Sequence, residues 1–203
     1  MEFIKKEPLI ILIAGRARSG KSVLAEYLKK ECENQNKKVI ISPYTKYLKH
    51  YIEEITNQKI NEENKPRDLL QQISSKIIKG NLGKQNFFID RQIEDIEIYS
   101  YFTDVILIPD VRFPDEIKTI KEKFNNVVSI GVIRKNYIST LTKEQLEDIT
   151  ETALNDYHDY DFEIENTEKT NLKDLAKELN NKINERRKNN EQNSSYCRNV
   201  WKW

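Results

Sequence analysis

Residues 9–14, LIILIA, are six apolar residues in a row with no polar alternation. A strand with one wet face alternates, whereas an unbroken run is buried on both faces, as in a parallel sheet covered by helices on both sides. The next eight residues narrow the fold further. Gly15-Arg16-Ala17-Arg18-Ser19-Gly20-Lys21-Ser22 fits G-x-x-x-x-G-K-[ST] at every fixed position. An amphipathic pattern follows, with Val23, Leu24, Tyr27 and Leu28 expected on one helical face. Strand, glycine-rich turn and helix in that order is the context the pattern needs to hold phosphate. The glycines let the backbone turn its N–H groups inward, and the helix start adds unpaired donors and a positive end. Lys21, expected to be partly exposed, reaches the β- and γ-phosphates, and the Ser22 hydroxyl can ligate Mg²⁺. The expected ATP-binding set is therefore Gly15, Arg18, Ser19, Gly20, Lys21 and Ser22.

The rest of the chain repeats the strand–helix theme. KVIIS (38–42) reads as a second strand, and after Pro43 a helical pattern runs through Tyr47, Leu48, Tyr51, Ile52 and Ile55. In KPRDLLQQISSKIIKG, Pro66 suits the first helical position, Gly80 suits the residue past the end, and Leu69, Leu70, Ile73 and Ile77 form a stripe. A helix over about 87–99 turns Ile89, Ile93 and Ile96 inward. DVILIPD (104–110) is a third strand ended by Pro109 and Asp110, Ile117, Ile120 and Phe124 mark a helix, and NVVSIGVI (126–133) is a fourth strand. LTKEQL carries a capping box from Thr142 to Gln145, with Leu141 placed to staple against Leu146. DFEIEN (161–166) alternates as a half-buried fifth strand, and Asn171 caps a last helix bearing Leu172, Leu175, Leu179 and Ile183.

The expected fold class is α/β, with three layers and a five-stranded parallel sheet flanked by helices. A helical insert spans about 43–100 and a small lid about 134–150, within one domain over 1–187. Residues 188–203 read as a polar tail, flexible or docked through Trp201 and Trp203.

Composition removes other classes. The 203 residues carry 34 basic and 33 acidic side chains, net +1, so bulk charge favours neither nucleic-acid wrapping nor membrane coating. The apolar run is too short to span a bilayer and no signal peptide is visible, so a cytoplasmic protein is expected. Cys32 and Cys197 form no metal-ligand spacing and read as reduced, incidental thiols. A GTPase would need an N-K-x-D guanine reader, and NLKD (171–174) has the wrong spacing. A large ATPase motor would need more chain, so length and the helical insert favour a small-molecule kinase.

Beyond the loop, Asp110 can hold a Mg²⁺-bound water at the end of a buried strand, or it is a plain turn aspartate. Arg112, two residues on, lies at the carboxyl edge of the sheet where ligands bind, or forms a surface pair with Asp115 or Glu116. Arg67, Gln71 and Ser74 share a helical face opposite the leucines. Arg67 offers a planar fork for phosphate and Gln71 a donor and an acceptor for a base edge, against a plain solvated face. Arg134 ends the fourth strand, where it could swing onto the phosphates or remain exposed.

In order after the loop, YTKYLK, PRDLLQQIS, ILIPDVRFPDEI, ITETAL and YDFEIEN resemble the deoxynucleoside monophosphate kinase family of bacteriophages and some bacteria. The resemblance runs from about residue 9 to 185, with DVRFPDE and R-x-L-L-Q its more specific parts. It implies a P-loop kinase fold and transfer of the ATP γ-phosphoryl group to a nucleoside 5′-monophosphate, commonly a deoxy form. Mg²⁺ is the implied cofactor and a homodimer is allowed. The implied acceptor-binding set is Tyr44, Lys49, Arg67, Gln71, Arg112 and Glu151, with Glu151 closing the lid region. Lys21, Asp110, Arg112 and Arg134 carry transfer, and Asn166 lies near the ATP base. Lys46 stands where the family often has an acid, and Asp148 where it often has histidine. Kinases of the phosphomevalonate or dephospho-coenzyme-A type, and a nucleotide-binding module without transfer activity, are the competing readings.

Overall fold

A computed structural model describes residues 2–61, 66–135 and 142–200, the side chains of 67 and 190–200 excepted. Five strands, β1 (Leu9–Ala14), β2 (Val39–Ile41), β3 (Val105–Val111), β4 (Val127–Arg134) and β5 (Phe162–Asn166), form one sheet in the order β2-β3-β1-β4-β5. Every strand pair is parallel. β1 lies at the centre, and its six side chains are at most 1% exposed. Alternate β1 residues feed two separate cores. Leu9, Ile11 and Ile13 pack with α1 (Lys21–Glu33) and α8 (Leu172–Val200), while Ile10, Leu12 and Ala14 meet the helices of the opposite face. Each of these Leu and Ile side chains contributes about 1.5–3 kcal/mol on burial, so helices must cover both faces of the sheet.

The opposite layer contains α2 (Lys46–Thr56), α3 (Arg67–Gln71), α4 (Phe87–Tyr99) and α5 (Pro114–Lys123). Two short helices, α6 (Lys143–Glu147) and α7 (Ile149–Thr152), follow β4. The three-layer α/β class and the helical insert between β2 and β3 agree with the sequence reading. Residues 136–141 of the expected lid, including Leu141 of the staple, lie outside the described residues. Among the described residues no helix is long and apolar enough to cross a membrane.

Several local expectations shift for identifiable reasons. Val23 is 49% exposed, because α1 starts with Lys21 turned into the loop and thereby selects Leu24, Ala25, Leu28 and Cys32 as its buried face. Ile55, at 74% exposed, points to water while Leu48 and Ile52 anchor α2. Pro66 is the cap residue of α3, which continues into a π-helical stretch, Gln72–Asn81, that passes through Gly80. The wider π turn moves the stripe from spacing four to spacing five after Ile73. Ile78 is therefore buried and Ile77 is 45% exposed. β3 runs through Pro109 and Asp110 to Val111, because its register against β1 slips between Leu12 and Ala14. That bulge accommodates a proline in a central strand and re-aims Asp110. The last helix continues to Val200, carrying helical backbone into the segment read as a tail.

Candidate active site

The loop between β1 and α1 is shaped by two glycines. Gly15 has φ +143, and a Cβ there would lie 2.4 Å from the Val132 carbonyl oxygen. At Gly20 (φ +101) a Cβ would meet Asn166 Nδ2 at 2.5 Å. Asn166 donates from that nitrogen to Ser19 O at 2.9 Å, so β5 pins the loop from below. Arg18 adopts φ +59, and its carbonyl accepts a hydrogen bond from Arg134 Nη1 at 2.7 Å. Lys21 donates from Nζ to Arg16 O at 2.5 Å. It is 6% exposed, which corrects the expectation of a partly exposed lysine. Its Nζ lies within the loop, between Arg16 O and Ser19 Oγ. Ser22 is exposed on the first turn of α1.

Arg112 pairs with neither Asp115 nor Glu116 through its guanidinium. Nη1 instead donates to Glu151 Oε1 at 2.8 Å, and the other oxygen of that carboxylate accepts the Ala17 N–H at 2.6 Å. Glu151 thus ties the phosphate loop to the strand-end arginine. Glu116 is buried beneath, where Oε2 accepts the Arg112 and Phe113 backbone N–H groups at 2.7 and 3.1 Å, closing a capping box on α5.

Burial pushes the Glu116 carboxyl up from its ordinary 4.5 to about 7, and the Asp110 charge adds to the rise. The folded chain therefore binds the Glu116 proton more tightly than the unfolded chain does. Stability should fall as pH rises from about 4.5 to about 7 and stay lower above that. Glu116→Gln, still able to accept both N–H groups, should flatten this part of the profile in thermal melts. Parallel wild-type and variant curves across the window would show that Glu116 is already ionised in the folded protein.

Beside the loop lies a cavity of about 290 Å³. Gly15–Ala17 and Gly131–Arg134 form its floor, and Leu146, Glu151, Leu154, Asn155, Tyr157 and Tyr160 its walls. Tyr157 and Tyr160 meet edge to face, with ring centroids 4.8 Å apart. Tyr160 lies so close over Gly131 that a Cβ there would be 2.6 Å from the ring. Arg16 donates from Nε and Nη2 to Asn155 Oδ1 at 3.1 and 2.6 Å. The Thr142–Gln145 capping box forms as read from sequence. The Gln145 amide donates to Asp68 Oδ1 at 3.1 Å, bringing α6 against the start of α3.

The remaining sequence candidates fall in different places. Asp110 lies one residue before the end of β3, and its carboxylate holds three donors. It accepts Tyr44 N at 2.8 Å, Thr45 N at 3.0 Å and Thr45 Oγ1 at 2.7 Å, hooking the start of α2 onto β3. Tyr44 is 4% exposed and packs in the core, which removes it from a substrate-facing role. Burial pushes its hydroxyl well above 10. Lys49 and Gln71 are half-buried on α2 and α3, and neither they nor Tyr44 line the cavity. Arg67 opens α3. Asn166 uses its amide nitrogen to hold the loop. Lys46 is balanced by a carboxylate elsewhere in the fold: it pairs with Asp95 of α4 and donates to Tyr99 OH at 2.9 Å.

For a metal, Ser22 is accessible, and the three donors on Asp110 leave its Oδ1 one acceptor position for a metal-bound water. Mg²⁺ retains several waters and takes few protein oxygens when phosphates are present, so Ser22 fits as its direct protein contact. Among the described residues, no group of three His, Cys, Asp or Glu side chains could hold a metal by itself.

Asn155, Tyr157 and Tyr160 are the cavity residues that motif reading passed over. The signal was present in ETALNDYHDYD, where aromatics cluster just before an edge strand, too few to show a helical or strand period.

No family model matches the chain, and no curated protein matches it. Solved structures do. An APS kinase from Mycobacterium tuberculosis superposes with a TM-score of 0.51 at 10% identity, covering 89% of this chain and 99% of that one. A gluconokinase from Sinorhizobium meliloti 1021 gives 0.51 at 11% identity, over 94% and 99%. A shikimate kinase from Bacteroides thetaiotaomicron gives 0.50 at 12%, over 87% and 98%. At these identities the likeness concerns architecture, and the architecture of this chain is the P-loop kinase fold.

Proposed function

We propose that this protein is a Mg²⁺- and ATP-dependent kinase whose acceptor is a nucleoside 5′-monophosphate, commonly a deoxy form. The observation that carries the acceptor class is the cavity beside the phosphate loop. Leu146, Leu154, Val132 and two tyrosine rings surround a space suited to a flat ring with polar edges. Gluconate and shikimate, acceptors that the neighbours' names indicate, are small polyhydroxylated acids with no aromatic face to set against Tyr157 and Tyr160. The sequence resemblance supports the same reading independently.

Transfer requires an oxygen of the acceptor phosphate in line with the γ-phosphorus and stabilisation of charge spread over the transferring group. Lys21 stands under the loop for the β/γ bridge, and Arg134, already over the Arg18 carbonyl, has a short path to the γ-phosphate. Arg112 faces the acceptor side through Glu151. Lys49 and Gln71, half-buried on α2 and α3 outside the cavity, and Arg67 at the start of α3 are assigned to the acceptor by the sequence resemblance alone. Ser22 would contribute a ligand to Mg²⁺, which would supply charge neutralisation. Asp110 serves this site by holding α2 in place.

The test is acceptor-dependent ADP release across deoxy- and ribonucleoside monophosphates, with gluconate, shikimate, phosphomevalonate and dephospho-coenzyme A in the same panel. Only the monophosphates should stimulate release. Tyr157→Ala should raise the acceptor KM by roughly 5- to 100-fold, the size of one lost base–aromatic contact, and move the ATP KM less than about twofold. A rise confined to the ATP KM would reassign the cavity to the ATP base. Stimulation by another panel member would replace the acceptor, and ADP release by none would leave a nucleotide-binding module.

A further inference from the structure

The carboxylate of Glu151 occupies donors of the kind that a phosphoryl group requires. A phosphate-loop N–H and a guanidinium, Ala17 N at 2.6 Å and Arg112 Nη1 at 2.8 Å, each bind one of its oxygens, and the residue is 8% exposed. A carboxylate is the protein side chain closest to a phosphate in charge and in its demand for donors. Glu151 is also set rigidly. Asp148 caps its short helix, accepting Thr150 N at 2.9 Å and Thr150 Oγ1 at 2.6 Å. Three residues past α7, Asn155 takes two hydrogen bonds from Arg16. Residues 148–155 therefore grip two successive loop residues, Arg16 and Ala17.

We propose that Glu151 is an internal counter-anion of the phosphate loop, standing in for a phosphoryl group at Ala17 and Arg112. It must withdraw with α7 before an anionic ligand can use those donors. This rests on residues 15–22 being a phosphate site and is independent of which acceptor the enzyme takes. A γ-phosphate cannot share the Ala17 N–H with a carboxylate, because two anions would then face each other across one proton. Part of the intrinsic phosphate affinity is thus spent on releasing Glu151, and that release frees Arg112 for the acceptor. Loop occupation and the release of Glu151 become one event. Arg112 is then a group delivered to the reaction by the departure of its own partner.

The experiment is calorimetric titration of inorganic pyrophosphate, and separately of MgATP, into the wild-type chain and into Glu151→Gln, Glu151→Ala and Glu147→Gln. Glu147 is an exposed acid of the neighbouring helix, so its substitution makes the same change in net charge without touching the loop. The two Glu151 variants should bind both ligands about tenfold tighter than wild type, the scale of one displaced charge-assisted hydrogen bond. Glu147→Gln should stay within about twofold. A merely structural role for Glu151 predicts equal or weaker binding in its variants, and that result overturns the proposal. Should Glu151→Ala melt too low to titrate, the isosteric glutamine variant decides the matter. If all four proteins bind MgATP equally and still turn over monophosphates, the kinase reading stands and the counter-anion falls. If none binds either ligand, the phosphate-site reading falls and takes this inference with it.

Discussion

Lys21→Ala is expected to lower kcat for phosphoryl transfer by about 100- to 1000-fold, the usual cost of removing one preorganised donor from a transition state that develops charge. The geometry adds a second effect. Because Lys21 is buried and donates to Arg16 O, alanine also removes the prop beneath the loop and leaves that carbonyl without this donor. A stability loss of about 1–3 kcal/mol is therefore expected as well. Lys21→Met separates the two effects, since it keeps most of the buried stem while deleting the charge. Its melting temperature should recover toward wild type while kcat stays low. A methionine variant with normal kcat would take the lysine out of the reaction.

Gly15→Ala should be comparably severe for a different reason. The added Cβ would lie 2.4 Å from the backbone oxygen of Val132, which belongs to β4 and cannot swing aside as a flexible side chain could. At φ +143 the alanine is strained even without that clash. Overpacking of about 1–3 kcal/mol and backbone strain of similar size should act together. The expected result is a loss of about 2–6 kcal/mol in denaturant unfolding and no measurable MgATP binding. An alanine variant with wild-type unfolding midpoint and nucleotide affinity would mean that the loop can reach its working shape with Gly15 at negative φ.

The parts of this architecture that were legible in the sequence are those set by local periodicity. The unbroken β1 run, the loop pattern, the α4 stripe and the Thr142–Gln145 box each depend on neighbours a few residues away. What was not legible depends on distant partners. Arg112 has two acids within four residues, yet its guanidinium chooses Glu151, 39 positions on, because Glu116 is already committed to backbone donors beneath it. Asp110 has the right place for a metal-site acid, but the α2 start arrives with three donors from 65 and 66 positions away. The Ile77/Ile78 exchange has another cause: a π turn keeps the composition of the stripe and alters only its period. The cavity needs β4, the loop and residues 146–160 at once, and no segment announces it alone.

Centrality of β1 has a consequence for how the molecule breathes. With β3 on one side, β4 on the other and no exposed side chain, β1 belongs to the portion of the sheet whose amides open only when the whole domain does. Fraying enters from β2 and β5, the two margins. The phosphate loop is rooted in the last strand to yield. Opening at the β2 margin can loosen the insert while the loop keeps its support, whereas opening at the β5 margin also withdraws the Asn166 contact from Ser19.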